Sequence, residues 1–295
     1  MNRGTLYALA SYALWGVLPI YWKLLKGVPP LEILAHRIFW GLLVLLGLLA
    51  YKQRWEWLKW VRGSRRTMGT FVVTAVLLCT NWFVYIWAVN AGFIVETSLG
   101  YFINPLVNVL LGAVFLGERL RNWQKVAVML AFLGVLWLTV TYGSLPWIAL
   151  TLGVSFGIYG LLRKTAALES LEGLSLEMAI LFLPALAYLL YLLLTGGFSL
   201  GRVSALQNSL LVLAGVVTAV PLLLFAMGAR RVTMTTLGIL QYLAPTCQFL
   251  IGVFLYNEPF GQTQLVGFGL IWLALAIYTG EGISVRRRKT AVVTI

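Results

Sequence analysis

Charge is confined to short intervals of this chain. Eight stretches of 19 to 37 residues run without a single Lys, Arg, Glu or His: Gly4 to Trp22, Thr67 to Val95, Thr97 to Gly117, Val126 to Leu162, Met178 to Gly201, Val203 to Ala229, Val232 to Asn257 and Pro259 to Gly280. About 20 apolar residues in a helix cross the ~30 Å hydrocarbon core of a bilayer, so each run but the longest reads as one membrane span. The exception, Val126 to Leu162, is interrupted by Thr141, Tyr142, Gly143, Ser144 and Pro146 and reads as two helices joined by a tight turn. A further span from about Glu32 to Tyr51, with His36 and Arg37 near its start, brings the expectation to ten. Composition agrees: mean hydropathy is +0.91 and only 11% of residues are charged, against about 25% in a soluble domain. The expected fold class is an all-α polytopic membrane protein with ten transmembrane helices.

The basic residues orient these spans. With the N-terminus in the cytoplasm, 18 Lys and Arg fall on the inner side, and Lys23, Lys26, Arg37 and Arg202 remain outside. That asymmetry satisfies the positive-inside rule and places both termini in the cytoplasm. No small-residue cleavage site follows the first run, which is expected to be a retained helix rather than a signal peptide. The stretch from Lys52 to Arg66 mixes its cations with Trp55, Trp57 and Trp60, a combination suited to lipid headgroups. The net charge of +13 is thereby assigned to the membrane surface and not to nucleic acid.

Most enzyme chemistry lacks its material here. All nine acids are glutamates, there is one histidine, and Cys79 and Cys247 both lie in apolar runs. No metal or cofactor site and no phosphate-binding glycine loop is expected. The alternatives to a carrier are an intramembrane enzyme, which would need acid, base or metal ligands gathered together, and a non-transporting membrane partner protein.

The chain also repeats itself. At an offset of 140, Pro105 falls on Pro245, Gly112 on Gly252, Glu118 on Glu258 and Gln124 on Gln264; at 141, Gly16 falls on Gly157 and Lys23 on Lys164. Residues 1–141 and 142–282 are expected as two five-helix repeats, with 283–295 a basic cytoplasmic tail. Five is odd, so the second repeat would enter the membrane from the opposite side, an arrangement that supports alternating access.

Several segments carry a family resemblance. Tyr12, Ala13, Leu14, Trp15, Gly16 with Pro19, Tyr21, Trp22 and Lys23; Glu32 to Arg37; Asn81, Trp82 with Tyr85 to Val89; and Ser98 to Pro105 before Gly117 and Glu118 resemble the RarD type of EamA transporters in the drug/metabolite transporter superfamily. The resemblance implies two five-helix EamA repeats, a bacterial plasma-membrane location, and movement of small metabolites or drugs, usually outward.

The candidate substrate cavity draws on spans 4 and 9. Tyr101, Asn104 and Asn108, at spacings of 3 and 4, share one helical face, and Gln241 and Gln248 are the repeat counterparts of Tyr101 and Asn108. Amides at mid-membrane need a partner or a cavity; the packing alternative is helix-to-helix hydrogen bonding. Pro105 and Pro245 each free the carbonyl four residues earlier and are expected to kink their helices. Tyr12, Trp15, Asn81, Tyr85 and Tyr159 add aromatic and amide surface suited to an uncharged or zwitterionic solute with a flat apolar part. Glu32, His36 and Glu96 are the candidates for proton coupling, while Arg37 is expected to snorkel to the interface. The remaining glutamates are expected in loops or at helix ends.

Overall fold

The computed structural model describes residues 3–90, 94–142, 147–255 and 261–293. It is built of helices α1 (Arg3–Leu24), α2 (Pro30–Tyr51), a short α3 (Trp57–Gly63), α4 (Arg65–Asn90), α5 (Ile94–Leu116), α6 (Asn122–Tyr142), α7 (Trp147–Thr165), α8 (Ser170–Thr195), α9 (Ala205–Ala229), α10 (Met234–Gln241), α11 (Leu243–Leu250), a π-helical turn at Ile251–Leu255, and α12 (Gln262–Val293). No strand occurs among the described residues. The long run at 126–162 divides into α6 and α7, with residues 143–146 lying outside the described set.

Local signals set the boundaries. Pro30 opens α2, where its missing N–H costs nothing. Ser204 and Gln207 form a reciprocal capping box at the start of α9, and Thr233 caps α10 by accepting from Thr236 N. Gly196, at φ +80°, ends α8 in the left-handed conformation.

The two prolines at equivalent positions act differently. The helix runs through Pro105, whereas the segment around Pro245 is divided into α10 and α11 at Tyr242. Pro245 has no N–H for the Gln241 carbonyl, and Tyr242 N turns back to the Ile239 carbonyl at 3.3 Å. At the C-terminal end α12 continues to Val293, past the expected boundary at 282.

Seven helical stretches are long and apolar enough to cross a membrane: Pro30–Tyr51, Arg65–Tyr85, Asn122–Thr141, Ser170–Thr195, Ala205–Ala229, Met234–Leu255 and Leu265–Gly282. Helices α1 and α7 fall short of that standard, and the part of α5 whose side chains are described, Gly100–Leu116, is a shorter apolar stretch. Large apolar side chains cover the outside, among them Leu194, Phe254, Leu183 and Val140, each at least 70% exposed. Such a surface would aggregate in water and requires lipid around it.

Helix α6 packs on α12 and α5 on α7; α1 lies against α9, α10 and α11, α2 against α8 and α9, and α4 against α7 and α8. The small residues of α7 let α5 approach: a Cβ on Gly157 would lie 2.6 Å from Val107, and one on Gly153 3.0 Å from Ile103. The closest crossing joins α2 and α9, where a Cβ on Gly215 would lie 2.4 Å from the Trp40 carbonyl carbon and 2.6 Å from Gly41 N. Backbone cannot yield as a side chain can, so Gly215→Val is expected to exceed the ordinary overpacking cost of about 1–3 kcal/mol. The monodisperse fraction recovered in detergent should fall severalfold; a wild-type fraction would refute this crossing.

Candidate functional site

A cavity lies among α1, α2, α4, α5, α7, α9, α10 and α11. Its walls come from the C-terminal halves of α1 and α4 and the N-terminal parts of α2, α5 and α7, so it sits toward the end of the bundle that carries the α1–α2 connection. Of the ten cavity residues expected from sequence, Tyr12, Trp15, Asn81, Tyr85, Tyr101, Asn104, Gln241 and Gln248 line it. Pro245 is also in the wall.

Asn108 and Tyr159 lie outside that lining. Asn108 lies one turn deeper on α5, 1% exposed, and donates to Asn104 Oδ1 at 3.1 Å and Gln241 Oε1 at 2.8 Å. Tyr159 is fully buried, its ring stacked on Phe225 at 6.0 Å and its hydroxyl donating to Glu177 Oε2 at 3.3 Å. One turn along a lining helix is enough to exchange a cavity for a helix interface.

The lining amides also tie helices together. Asn104 Nδ2 donates to the Gly153 carbonyl at 3.0 Å, and Asn81 Nδ2 to the Leu152 carbonyl and the Ser155 hydroxyl, both at 2.9 Å. Gln248 Nε2 donates to the Trp15 carbonyl at 3.1 Å. That carbonyl lacks its usual helical donor because the residue four positions on is Pro19, so Gln248 of α11 fills a vacancy in α1. The cavity and packing readings of these amides are therefore compatible.

Arg37 is the residue that sequence reasoning misplaced. It does not snorkel away: it lines the cavity, donating from Nε to Thr218 Oγ1 at 2.9 Å. The guanidinium carbon lies 4.9 Å from the Trp22 ring centroid and 4.6 Å from that of Trp82.

Beneath the cavity is an aromatic floor. Trp15 meets Phe156 at 5.6 Å, Phe156 meets Phe225 at 5.2 Å, and Tyr12 meets Trp15 at 5.8 Å. Below that floor Arg163 of α7 and Glu177 of α8, 1% and 0% exposed, face each other at 3.7 Å. Arg163 Nη2 also donates to the Ser170 carbonyl at 3.0 Å, and its guanidinium lies 5.5 Å from the Phe71 ring centroid. Gly173 leaves the room: a Cβ there would lie 2.0 Å from Arg163 Nη1. Glu177 thus contradicts the expectation that the remaining glutamates occupy loops and helix ends. The repeat held the missed signal, since an offset of 140 places Glu32 on Glu172, Leu34 on Leu174 and Arg37 on Glu177.

The end of the bundle beyond this pair is laced shut. Lys164 Nζ donates to the carbonyls of Ala229 and Val232 on the α9–α10 connection, and Arg230 Nη1 returns to those of Ala166 and Leu168 on the α7–α8 connection, both at 2.8 Å. Glu118 accepts from Met234 N at 2.7 Å and Thr235 N at 3.0 Å, placing a carboxylate at the N-terminus of α10. Arg54, after α2, reaches Glu169 at 2.6 Å and Glu172 at 3.1 Å before and within α8. The Arg54 guanidinium holds the Glu169 carboxyl below the usual carboxylate range.

The coupling candidates separate from the cavity. Glu32 and His36 are 3.8 Å apart and buried, and Glu32 accepts from Ser199 N and Oγ, both at 2.6 Å. Neither contributes to the cavity wall. Glu96 lies on α5, but its side chain is outside the described set, as is Glu258. No group of three or more His, Cys, Asp or Glu that could hold a metal ion occurs among the described residues.

A helical bundle coated in apolar side chains, with a polar and aromatic cavity inside it, defines a multi-pass membrane protein. The chain belongs to the EamA-like transporter family, which matches residues 2–140 and again 145–280, and within that family to the RarD type. It is 45% identical to Protein RarD of Streptomyces exfoliatus, over 98% of this chain and 92% of that one. It is 46% identical to the Uncharacterized transporter YojE of Bacillus subtilis (strain 168), over 97% and 96% respectively. The Chloramphenicol-sensitive protein RarD of Pseudomonas aeruginosa is 33% identical, over 98% of this chain and 97% of that one. One solved crystal structure superposes with a TM-score of 0.70 at 21% identity, covering 94% of this chain and 97% of the other, which speaks to the fold alone. The chain is a membrane transporter.

Proposed function

We propose that this protein is an ATP-independent exporter of small amphipathic metabolites or drugs in the bacterial inner membrane, working by alternating access across ten spans in two inverted five-helix repeats. The observation that carries the reading is the cavity itself: open chemistry toward one end of the bundle, an aromatic floor, and a laced layer beyond it. The helix pairings support the repeat. Exchanging α1 with α7, α2 with α8, α4 with α9, α5 with α10 and α11, and α6 with α12 converts the main helix pairings into one another. Alternating access then means that the lacing around Lys164, Arg230 and Glu118 opens while the cavity end closes. By the charge asymmetry of the loops, both termini and the laced end are cytoplasmic.

The test is flux into proteoliposomes holding the purified protein, with labelled small aromatic solutes, chloramphenicol among them, and no nucleotide. Protein-dependent, saturable flux of at least one is expected. Absence of flux for every solute, with and without a pH gradient, would remove the proposal and leave the enzyme and partner-protein readings.

A further inference from the structure

The reading that follows rests on the cavity being the solute site and specifies what enters it. A guanidinium carries its charge at every physiological pH and presents five donors in a fixed plane. In Arg37 one donor, Nε, is used by Thr218; the terminal nitrogens have no hydrogen-bond partner among the described residues, and no described glutamate forms an ion pair with the group. Among the described residues, the cavity wall around it contains no acid. A charge placed two turns inside a membrane helix is costly unless something answers it. The Trp22 and Trp82 rings answer it in part, through their faces at 4.9 and 4.6 Å. They also hold the guanidinium in place, with its free edge available.

We propose that Arg37 is the solute-binding cation of the cavity and that the solutes it selects are small aromatic monocarboxylates. The guanidinium edge takes the carboxylate through paired charge-assisted hydrogen bonds, and the Trp15, Tyr85 and Tyr101 rings receive the flat apolar body. A cationic solute finds no counter-charge among the described residues of this wall and meets Arg37 as a like charge. An ammonium group on the solute therefore weakens binding, and replacing the carboxylate by an uncharged amide removes the charge-assisted term.

The probes are three matched sets: benzoate with benzamide and benzylamine; 3-phenylpropionate with its amide and 3-phenylpropylamine; and indole-3-acetate with its amide and tryptamine. Each is titrated against the full-length protein in detergent, with the thermal unfolding midpoint as the readout of binding. At least one acid should bind about tenfold or more tightly than its amide, since a hydrogen bond to a charged group contributes roughly that factor or more, and every amine should bind more weakly than its acid. Arg37→Gln should bring acid and amide to within about threefold of each other, and Arg37→Lys should keep part of the preference. If no acid outdoes its amide in the wild type, the proposal is overturned without reference to any variant; a preference that survives in Arg37→Gln overturns it as well. Preferential binding of acids with no flux in the proteoliposome assay would remove the transport reading and leave this one standing. Flux of neutral solutes with no preference for acids would do the reverse.

Discussion

Replacing Arg163 by leucine destabilises the protein by about 3–5 kcal/mol, the usual consequence of leaving one partner of a buried ion pair without the other. Glu177 is fully buried; without the guanidinium at 3.7 Å, it is left with the hydroxyls of Tyr159, at 3.3 Å, and Thr74. The pair itself is not a strong stabiliser, because at that distance the two groups attract across a gap with no hydrogen bond between them. Substituting both, Arg163→Leu with Glu177→Leu, is therefore expected to recover most of the loss, since two apolar side chains avoid the desolvation cost altogether. Unfolding of the single and double variants in detergent measures this as a double-mutant cycle. A double variant as unstable as the sum of the two singles would show that the charges are not coupled.

The second large effect is on transport. Leu18→Trp adds an indole to a half-buried position in the cavity wall without removing any member of the amide network. Flux of any solute carried by the wild type should fall at least tenfold, while the unfolding midpoint stays near the wild-type value because the added ring occupies space already empty. Unchanged flux in a well-folded Leu18→Trp protein would mean that solute crosses elsewhere.

Much of this architecture is legible in the residues. The uncharged runs locate the helices, the turn residues between Tyr142 and Trp147 separate α6 from α7, and the spacing of three puts Tyr101 and Asn104 on one face of α5, where both line the pocket. The failures have physical causes. Arg37 follows Glu32 and His36 near the start of a helix, where snorkelling is the normal behaviour of a long cation; only the tertiary placement of Trp22 and Trp82 beside it shows a different role. Glu177 reads as a helix-end residue because Arg163, Lys164, Glu169 and Glu172 crowd the preceding sequence, and the charge density of the α7–α8 connection conceals that α8 begins at Ser170. Tyr159 and Asn108 share helical faces with true lining residues, and a helical face does not reveal its depth. The bond that Gln248 makes to α1 is not legible from its own helix, since the carbonyl it satisfies lies 233 positions earlier in the chain.

The two helices that fall short as independent membrane spans, α1 and α7, furnish Tyr12, Trp15, Leu152 and Phe156 to the cavity. The same polar, aromatic and glycine content that makes them a chamber wall weakens their own partition into lipid. During biogenesis such segments are expected to enter the bilayer alongside more apolar companions, α7 against α4 and α5, and α1 against α9. Insertion and assembly are then one process for this part of the chain. A substitution that makes the wall more polar reduces the fraction of newly made chains that reach the membrane correctly, before it has any effect on the solute.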